Sequence, residues 1–395
     1  MSDESLKSTT KKGLYWKFAE QFSNYGVQFI IGIFMARMLS PEDFGLTALP
    51  AVFLSISAIF IDSGFSGALI RKTDLTERDL STAFIYSMCV GLFCYLALFV
   101  SSPWIAAFYN APILESIVRV TALSFLYSPL NTVQTVILRR NLNFKTPAKI
   151  AVFCRIIAGV VGITLAYTGY GVWALVLSSL VSGIIGVIIT WSVVRWKPTT
   201  GWSSDSFKYL WGYGNKMMGS IMIGTIYENI APIIIGKYYN AAQLGVYNRA
   251  VGYAQMPSQN IVNTLQSVTF PVLSKIQDDS DKLQTYYRKM LKVSAFIVFP
   301  VMMILAALAH PLIILMVTEK WELSVILLQL LCFSYMWYPI HAINLNLLQV
   351  KGRTDLYSLS DYNVHATANV ENGYLNGRYG AIPFLDDLKT LHWNG

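Results

Sequence analysis

The stretch Phe29–Leu46 reads FIIGIFMARMLSPEDFGL: an apolar segment ends, the chain turns at Ser-Pro-Glu-Asp, and a second apolar segment begins. A similar stretch, NIAPIIIGKYYNAAQLGV, occupies Asn229–Val246, and at an offset of 200 residues Gly45 aligns with Gly245. The identities are few, so chance similarity between two apolar hairpins is one interpretation. The other is a two-fold internal repeat, which in membrane transporters builds two lobes around a central substrate path.

Composition predicts the class of protein. Of the 395 residues, 54% are hydrophobic and 13% charged, whereas soluble proteins carry about 25% charged residues. The apolar residues form runs of about 20 residues or more, the length that crosses a hydrocarbon core of roughly 30 Å. We therefore expect an all-α, polytopic membrane protein. Basic loops on one side of a bilayer explain the net charge of +8 without a nucleic-acid partner.

The apolar runs predict about ten transmembrane helices, at residues 14–38, 44–70, 80–107, 113–138, 147–168, 171–194, 208–235, 243–270, 290–316 and 322–349. With this assignment, twenty of the 30 Lys and Arg residues lie in the loops or at the adjoining helix ends on one side, and three do so on the other. Because cytoplasmic loops are rich in Lys and Arg, the N-terminus is expected in the cytoplasm.

The predicted organisation is a cytoplasmic N-terminus at 1–13, an N-lobe of six helices at 14–194, a basic cytoplasmic linker at 195–207, four helices of a C-lobe at 208–351 and a polar tail at 352–395. A two-fold repeat calls for six helices in each lobe. The tail has no apolar run long enough to cross a bilayer. It is either a genuine cytoplasmic extension or the product of a reading frame that changes near Lys351, and the abrupt loss of the apolar pattern favours the second.

Several motifs resemble those of the Wzx-type polysaccharide and lipopolysaccharide flippases (O-antigen and colanic-acid exporters), a branch of the multidrug/oligosaccharidyl-lipid/polysaccharide exporter superfamily. The resemblance covers about residues 10–351, and the tail departs from it. It is carried by MARMLSPEDFG at Met35–Gly45, DSGFSGALI at Asp62–Ile70, IAAFY at Ile105–Tyr109, LRRNLNFK at Leu138–Lys145 and LGVYNRA at Leu244–Ala250.

This resemblance implies twelve helices in two six-helix lobes in the bacterial cytoplasmic membrane. It implies a transporter, not an enzyme, that flips undecaprenyl-pyrophosphate-linked oligosaccharide units by alternating access, driven by an H⁺ or Na⁺ gradient. Membrane lipids are the expected surroundings, and no cofactor or metal is expected. The missing last two helices put the activity of this chain in doubt.

Ionisable residues inside membrane spans are costly and tend to face a cavity or a partner. We hypothesise that five cations line a central cavity and hold the pyrophosphate, while three carboxylates serve the coupling ion. Each has a plainer alternative: snorkelling to the interface, anchoring a helix end, or pairing within the protein. The cations are Lys17, Arg119, Arg155, Lys216 and Arg249, and the carboxylates are Asp62, Glu20 and Glu228.

Three other functions stay open. A multidrug or small-solute exporter of the same superfamily is one, although a site for a cationic drug should be lined with acids and aromatics rather than with Lys and Arg. A membrane enzyme is another, but the sequence has no His/Asp/Glu constellation, phosphate-binding glycine loop or metal-spaced ligands. The third is an inactive, truncated family member.

Overall fold

The structure is a computed structural model that describes residues 26–143, 145–275, 279–340 and 342–344. The predicted N-terminal segment, the first half of the first crossing and the predicted tail lie outside these ranges. Within them the regular structure is helical, with no strand. The helices are α1 Gly26–Met38, α2 Pro41–Ala48, α3 Ala51–Asp62, α4 Phe65–Arg71, α5 Glu77–Tyr109, α6 Ile113–Ala122, α7 Ser124–Tyr127, α8 Thr132–Arg140, α9 Lys145–Tyr167, α10 Val172–Val194, α11 Ser204–Glu228, α12 Ile230–Tyr238, α13 Ala241–Lys275, α14 Ser280–Ala307, α15 Ala309–Val317 and α16 Leu323–Tyr335.

The described helices confirm a polytopic, all-α membrane protein. Eight helical runs in the described ranges are long and apolar enough to cross a membrane. They coincide with eight of the ten predicted crossings. The other two predicted crossings fall on α1, a shorter apolar helix, and on α13, a helix of 35 residues.

Several predicted crossings are interrupted rather than continuous. The crossing expected at 44–70 is divided into α2, α3 and α4. The crossing expected at 290–316 is divided between α14 and α15. Between α11 and α12 the cause is Pro232, which has no N–H to donate to the Glu228 carbonyl. Between α3 and α4 the cause is a left-handed turn at Ser63 and Gly64.

The chain forms two compact units. The first extends through Ile226 and takes in Gly236–Gly245, and the second comprises Tyr227–Ile235 and the residues from Val246 onward. The first unit therefore contains most of α11 and the turn between α12 and α13. The lobe boundaries expected from the sequence stay a prediction.

The linker between α10 and α11 is held against the first turns of α5. Trp196 Nε1 donates to the Glu77 carboxylate at 2.9 Å, and the Ser203 amide donates to Thr82 Oγ1 at 3.1 Å. Both bonds lie within the first unit. The linker is therefore an ordered part of that unit.

The two related stretches fold alike. α1 and α12 end at Met38 and Tyr238, and the following helices begin three residues later, so each boundary is offset by 200 residues. Each second helix begins with a side-chain N-cap: Ser40 Oγ accepts the Asp43 amide at 3.2 Å, and Asn240 Oδ1 accepts the Gln243 amide at 2.8 Å. The two stretches thus share their helix boundaries and their side-chain N-caps, as a local repeat requires.

Arg140, at the end of α8, closes the C-terminal end of α4. Its guanidinium donates to the carbonyls of Leu69 at 2.8 Å and Ile70 at 3.1 Å, and also to the carbonyls of Lys72 and Thr73. The last carbonyls of a helix have no intrahelical donor, so a planar fork with five donors suits this position.

Replacing Arg140 by Ala should lower the free energy of unfolding by about 2–3 kcal/mol, because several carbonyls lose a charged donor. Thermal unfolding of the purified protein in detergent measures this. The matched control is Arg139→Ala, since Arg139 is exposed on the same turn. Equal melting temperatures for the two variants would show that the carbonyls do not depend on Arg140.

Candidate functional site

The break between α3 and α4 is bound to α5 by side chains. Ser63 and Gly64 have left-handed backbones, with φ of 44° and 70°. A break within a membrane span leaves carbonyls that need donors from elsewhere. Ser87 Oγ donates to the Ile61 carbonyl at 3.1 Å, and the hydroxyls of Ser63 and Tyr86 are 2.7 Å apart. The irregular backbone is therefore stabilised by the neighbouring helix.

Asp62, one of the predicted ion-coupling carboxylates, is the last residue of α3. Its side chain is half-buried and accepts a hydrogen bond from the Ser66 hydroxyl. It thus lies at a broken membrane helix, where irregular backbone either packs against protein or lines a polar cavity. In the part of the chain that the structure describes, no group of three or more His, Cys, Asp and Glu residues could hold a metal ion.

α11 approaches this break so closely that only glycine fits. A Cβ atom on Gly214 would lie 2.2 Å from the Ser63 carbonyl oxygen, and one on Gly64 would lie 3.2 Å from Met217 Cβ. Lys216 lies between these two α11 positions, so it is at the level of the break. Its side chain is exposed.

An aromatic cluster fixes the first half of α11 against α4 and α5. The ring centroids of Phe65 and Tyr86 are 4.5 Å apart, and those of Phe207 and Trp211 are 5.8 Å apart. Phe65 also packs edge-on against Trp211 at 6.5 Å. Each such pair adds about 0.5–1.5 kcal/mol beyond area burial, so the position of Lys216 relative to the break is well fixed.

One face of α11 carries a strip of aromatic and basic residues. Tyr209, Tyr213 and Lys216 are spaced by four and three residues, which places them on the same side of the helix. The Arg71 guanidinium lies 5.4 Å from the Tyr213 ring centroid, and Lys72 Nζ lies 4.9 Å from that of Tyr209. We call these five residues the basic strip.

Within the basic strip, Lys72 has a structural role. Its ammonium group contacts the buried carboxylate of Asp79 at 2.7 Å, and Asp79 also forms a capping box with Thr76 at the start of α5. Removing one partner of a buried ion pair leaves an uncompensated charge. Arg71 and Lys216 are exposed, and they are the two cations of the strip that can meet a ligand.

Arg155 and Arg119 lie in other parts of the first unit. Arg155 on α9 is half-buried and donates to the side-chain oxygen of Gln28 on α1. Lys17 and Glu20, predicted further toward the N-terminus on the same helix, lie outside the described residues.

Arg119 is held by its neighbours. It forms an ion pair with Glu115 at 2.8 Å, donates to Ser102 Oγ at 2.9 Å and lies 4.6 Å from the Phe99 ring centroid. Ser102 lies 15 residues along α5 from Ser87, which binds the helix break, a distance of about 22 Å. The structure therefore does not gather Arg119 and Lys216 at one point.

The two remaining predicted residues belong to the second unit. The Arg249 guanidinium lies 5.7 Å from the Tyr253 ring centroid and 5.2 Å from that of Trp321. Such contacts satisfy a cation that is partly removed from water. Glu228 ends α11 and is exposed.

The sequence interpretation counted Arg71 only as a loop cation. Its position over Tyr213 depends on packing between elements more than 130 residues apart, so no local pattern contains it. The aromatic–basic spacing at Tyr209, Tyr213 and Lys216 was a usable signal, because it has helical periodicity. The Thr76-x-x-Asp79 capping box was another.

These features define a class of protein: a helical membrane protein whose spans are broken, as they are in transporters. A basic strip lies beside one of the breaks. The family model described as "Polysaccharide biosynthesis protein" matches residues 34–326. The chain belongs to this family, and its resemblance to the polysaccharide and lipopolysaccharide flippases is confirmed.

Similar proteins support the same assignment. The teichuronic acid biosynthesis protein TuaB of Bacillus subtilis is 30% identical over 75% of this chain and 62% of TuaB. The lipopolysaccharide biosynthesis protein WzxC of Escherichia coli is 23% identical over 89% of this chain and 72% of WzxC. The solved lipid II flippase MurJ, in an inward closed conformation, has a TM-score of 0.75 and 17% identity over 94% of this chain and 83% of MurJ, and thus shares the fold.

Replacing Gly214 by Ala should lower the unfolding temperature, because the added Cβ would meet a backbone carbonyl that cannot rotate away. A cost of about 1–3 kcal/mol is expected for such overpacking. Gly212→Ala, in the same helix, has nothing within 4 Å of the added atom and serves as control. If Gly214→Ala melts at or above the temperature of the control, α11 does not pack on the break as described.

Proposed function

We propose that this protein flips lipid-linked oligosaccharide units across the bacterial cytoplasmic membrane for the synthesis of a surface polysaccharide. The family assignment supports a role in polysaccharide biosynthesis, and the shared fold supports transport rather than chemistry on the substrate. The carrier that the sequence resemblance implies is undecaprenyl pyrophosphate. The chain spans 62% of the length of TuaB, and the activity of the whole protein belongs to this proposal.

The observation that carries the proposal is the pair of exposed cations in the basic strip. Arg71 lies against Tyr213, and Lys216 follows Tyr213 by one helical turn on the same face. An Arg fork and a Lys point charge in this arrangement suit the two phosphates of a pyrophosphate. The adjoining tyrosines offer flat surfaces on which a sugar ring can stack.

The proposed orientation places the basic strip at the cytoplasmic end. Arg71 and Lys72 belong to a basic loop, and twenty of the 30 Lys and Arg residues lie on that side in the predicted topology. A substrate made in the cytoplasm would meet the strip first. Arg155, Arg119 and Arg249 would bind the headgroup at later points of its path, and Lys17 is proposed for the same role.

Replacing Lys216 or Arg71 by Ala should lower the flipping rate at least about tenfold, since a charge-assisted bond to phosphate contributes on the order of 1.5–3 kcal/mol. The assay is loss of accessibility of a fluorescent lipid-linked oligosaccharide to an impermeant quencher in proteoliposomes. Membrane insertion should be unchanged.

Arg78→Ala is the matched control for this assay, because Arg78 is an exposed cation near the same loop and outside the basic strip. It should flip at the wild-type rate. Normal flipping by Lys216→Ala and Arg71→Ala together would refute the proposed site. Equal losses in all three variants would reduce the effect to general surface charge.

We further propose that transport is coupled to an H⁺ or Na⁺ gradient through Asp62, Glu228 and Glu20. The support is local: Asp62 lies at a helix break, and Glu228 lies at the junction of α11 and α12. Carboxylates at such interruptions can bind a cation together with freed backbone carbonyls.

An imposed H⁺ or Na⁺ gradient should accelerate flipping by the wild-type protein. Asp62→Asn and Glu228→Gln should lose most of that acceleration, because the amide has no charge for the ion. Asp74→Asn is the control, since Asp74 is an exposed loop carboxylate. If the gradient accelerates flipping by both test variants as much as it does for the wild type, these two carboxylates are not the coupling groups.

A further inference from the structure

The two repeat-related turns contact each other, and the contact is made by glycine and backbone. A Cβ atom on Gly45 would lie 1.6 Å from the Ala241 carbonyl oxygen, and one on Gly245 would lie 1.9 Å from the Pro41 carbonyl oxygen. The same hypothetical atom on Gly245 would be 3.0 Å from the Gly45 amide nitrogen. The first turns of α2 and α13 therefore pack reciprocally, each glycine against the other helix's first residue. Both turns belong to the first compact unit.

A second contact lies beside the first. A Cβ on Gly236 would be 2.4 Å from Leu49 Cδ2 and 3.1 Å from Tyr109 Cε1. Next to Gly236, Lys237 Nζ donates to the Phe108 carbonyl and lies 4.4 Å from the Phe108 ring centroid. The end of α12 is thus fixed to the end of α5, in the same unit.

These contacts lie on the side of the predicted topology that has few basic residues, opposite the basic strip. They comprise the close contacts of Gly45 and Gly245 with backbone carbonyls, the contact of Gly236 with Leu49, and the hydrogen bond from Lys237 to the Phe108 carbonyl. Each of the two helix starts keeps its own cap, Ser40 or Asn240, so separating the turns leaves no N-terminal amide of either cap without its acceptor. The turns can therefore part without unfolding a helix end.

We infer that the contact of Gly45 with the α13 start and of Gly245 with the α2 start closes the transport path on the non-cytoplasmic side, and that it separates in each transport cycle. This inference rests on the proposed alternating access, and it assigns that closure to four positions: Pro41, Gly45, Ala241 and Gly245. We call this contact the outer closure. Its two-fold arrangement follows from the internal repeat.

Alanine at either glycine is incompatible with the closed contact, because the obstacle in each case is a backbone oxygen. In a separated state the same alanine meets no such obstacle. The substitution should therefore shift the protein toward the separated state, in proportion to the free energy that it removes from the closed one. Gly236→Ala should have a smaller effect, since its nearest obstacle is the end of a Leu side chain, which can rotate.

The test measures closure without any substrate. Cys89, Cys94, Cys154 and Cys332 are first replaced by Ser or Ala, and Phe108 and Lys237 are replaced by Cys as a reporter pair outside the Gly45–Gly245 contact. A short thiol-reactive cross-linker with a reducible bridge then joins the pair when the end of α12 lies on α5. The cross-linking rate in membranes reports the closed fraction.

Gly45→Ala and Gly245→Ala should lower the cross-linking rate at least about tenfold, the ratio that 1.4 kcal/mol produces at 25 °C. Gly252→Ala is the matched control, two turns further along α13, with nothing within 4 Å of its added Cβ. It should cross-link like the parent protein. Unchanged cross-linking in both test variants would overturn the outer closure.

A variant that fails to reach the membrane does not end the test. Gly236→Ala, whose obstacle is flexible, should insert and should lower cross-linking to a smaller extent. In the parent pair, forming the cross-link should stop flipping, and reducing it should restore flipping. Full flipping by the cross-linked protein would show that the contact is static packing. The protein could instead fail to flip the substrate even before cross-linking, while Gly45→Ala still lowers the cross-linking rate. That result would refute the proposed substrate and would still support the outer closure.

Discussion

Backbone amides and carbonyls in a lipid bilayer must find partners within the protein, and this constraint governs each interruption in the fold. Where α3 stops, Ser87 of α5 donates to the Ile61 carbonyl, and the Tyr86 hydroxyl of α5 hydrogen-bonds that of Ser63. Where α4 stops, Arg140 donates to its last carbonyls, and where α2 and α13 start, Ser40 and Asn240 accept amides. A membrane protein can contain broken spans only when such partners exist. At these positions the sequence provides a side chain that serves as the partner.

Close approach of helices through glycine is the second theme. In lipid, helix association depends on packing and hydrogen bonds, so small residues bring backbones together. Gly214 lets α11 contact the α3–α4 break, and Gly45 and Gly245 let the repeat-related turns meet. α11 and the first turn of α13 thereby contact the rest of the first unit at two places. In the predicted topology the basic strip lies on the cytoplasmic side and the outer closure on the opposite side, which agrees with the proposed path.

The sequence alone predicted the helical membrane class, because apolar runs of membrane length leave few alternatives. The alignment of the two hairpins also agrees with the structure at the helix starts, where the caps at Ser40 and Asn240 are offset by 200 residues. The break at Ser63 and Gly64 was missed, since hydropathy does not register a left-handed turn. Arg71 was not among the predicted site residues, because its place over Tyr213 depends on distant packing. The sequence shows that Arg119 and Lys216 are both charged residues within spans. It could not show that Arg119 is paired with Glu115 whereas Lys216 is exposed.

The central claim is that the path carries an anionic lipid headgroup. The most direct measurement compares two cargoes in the same proteoliposomes: undecaprenyl-pyrophosphate-linked oligosaccharide, and a cationic dye of the kind that multidrug exporters move. The account predicts that the lipid-linked oligosaccharide crosses the bilayer at a protein-dependent rate, that inorganic pyrophosphate slows it, and that the dye stays where it was loaded. Protein-dependent movement of the dye, with the lipid-linked oligosaccharide retained in its original leaflet, would contradict it.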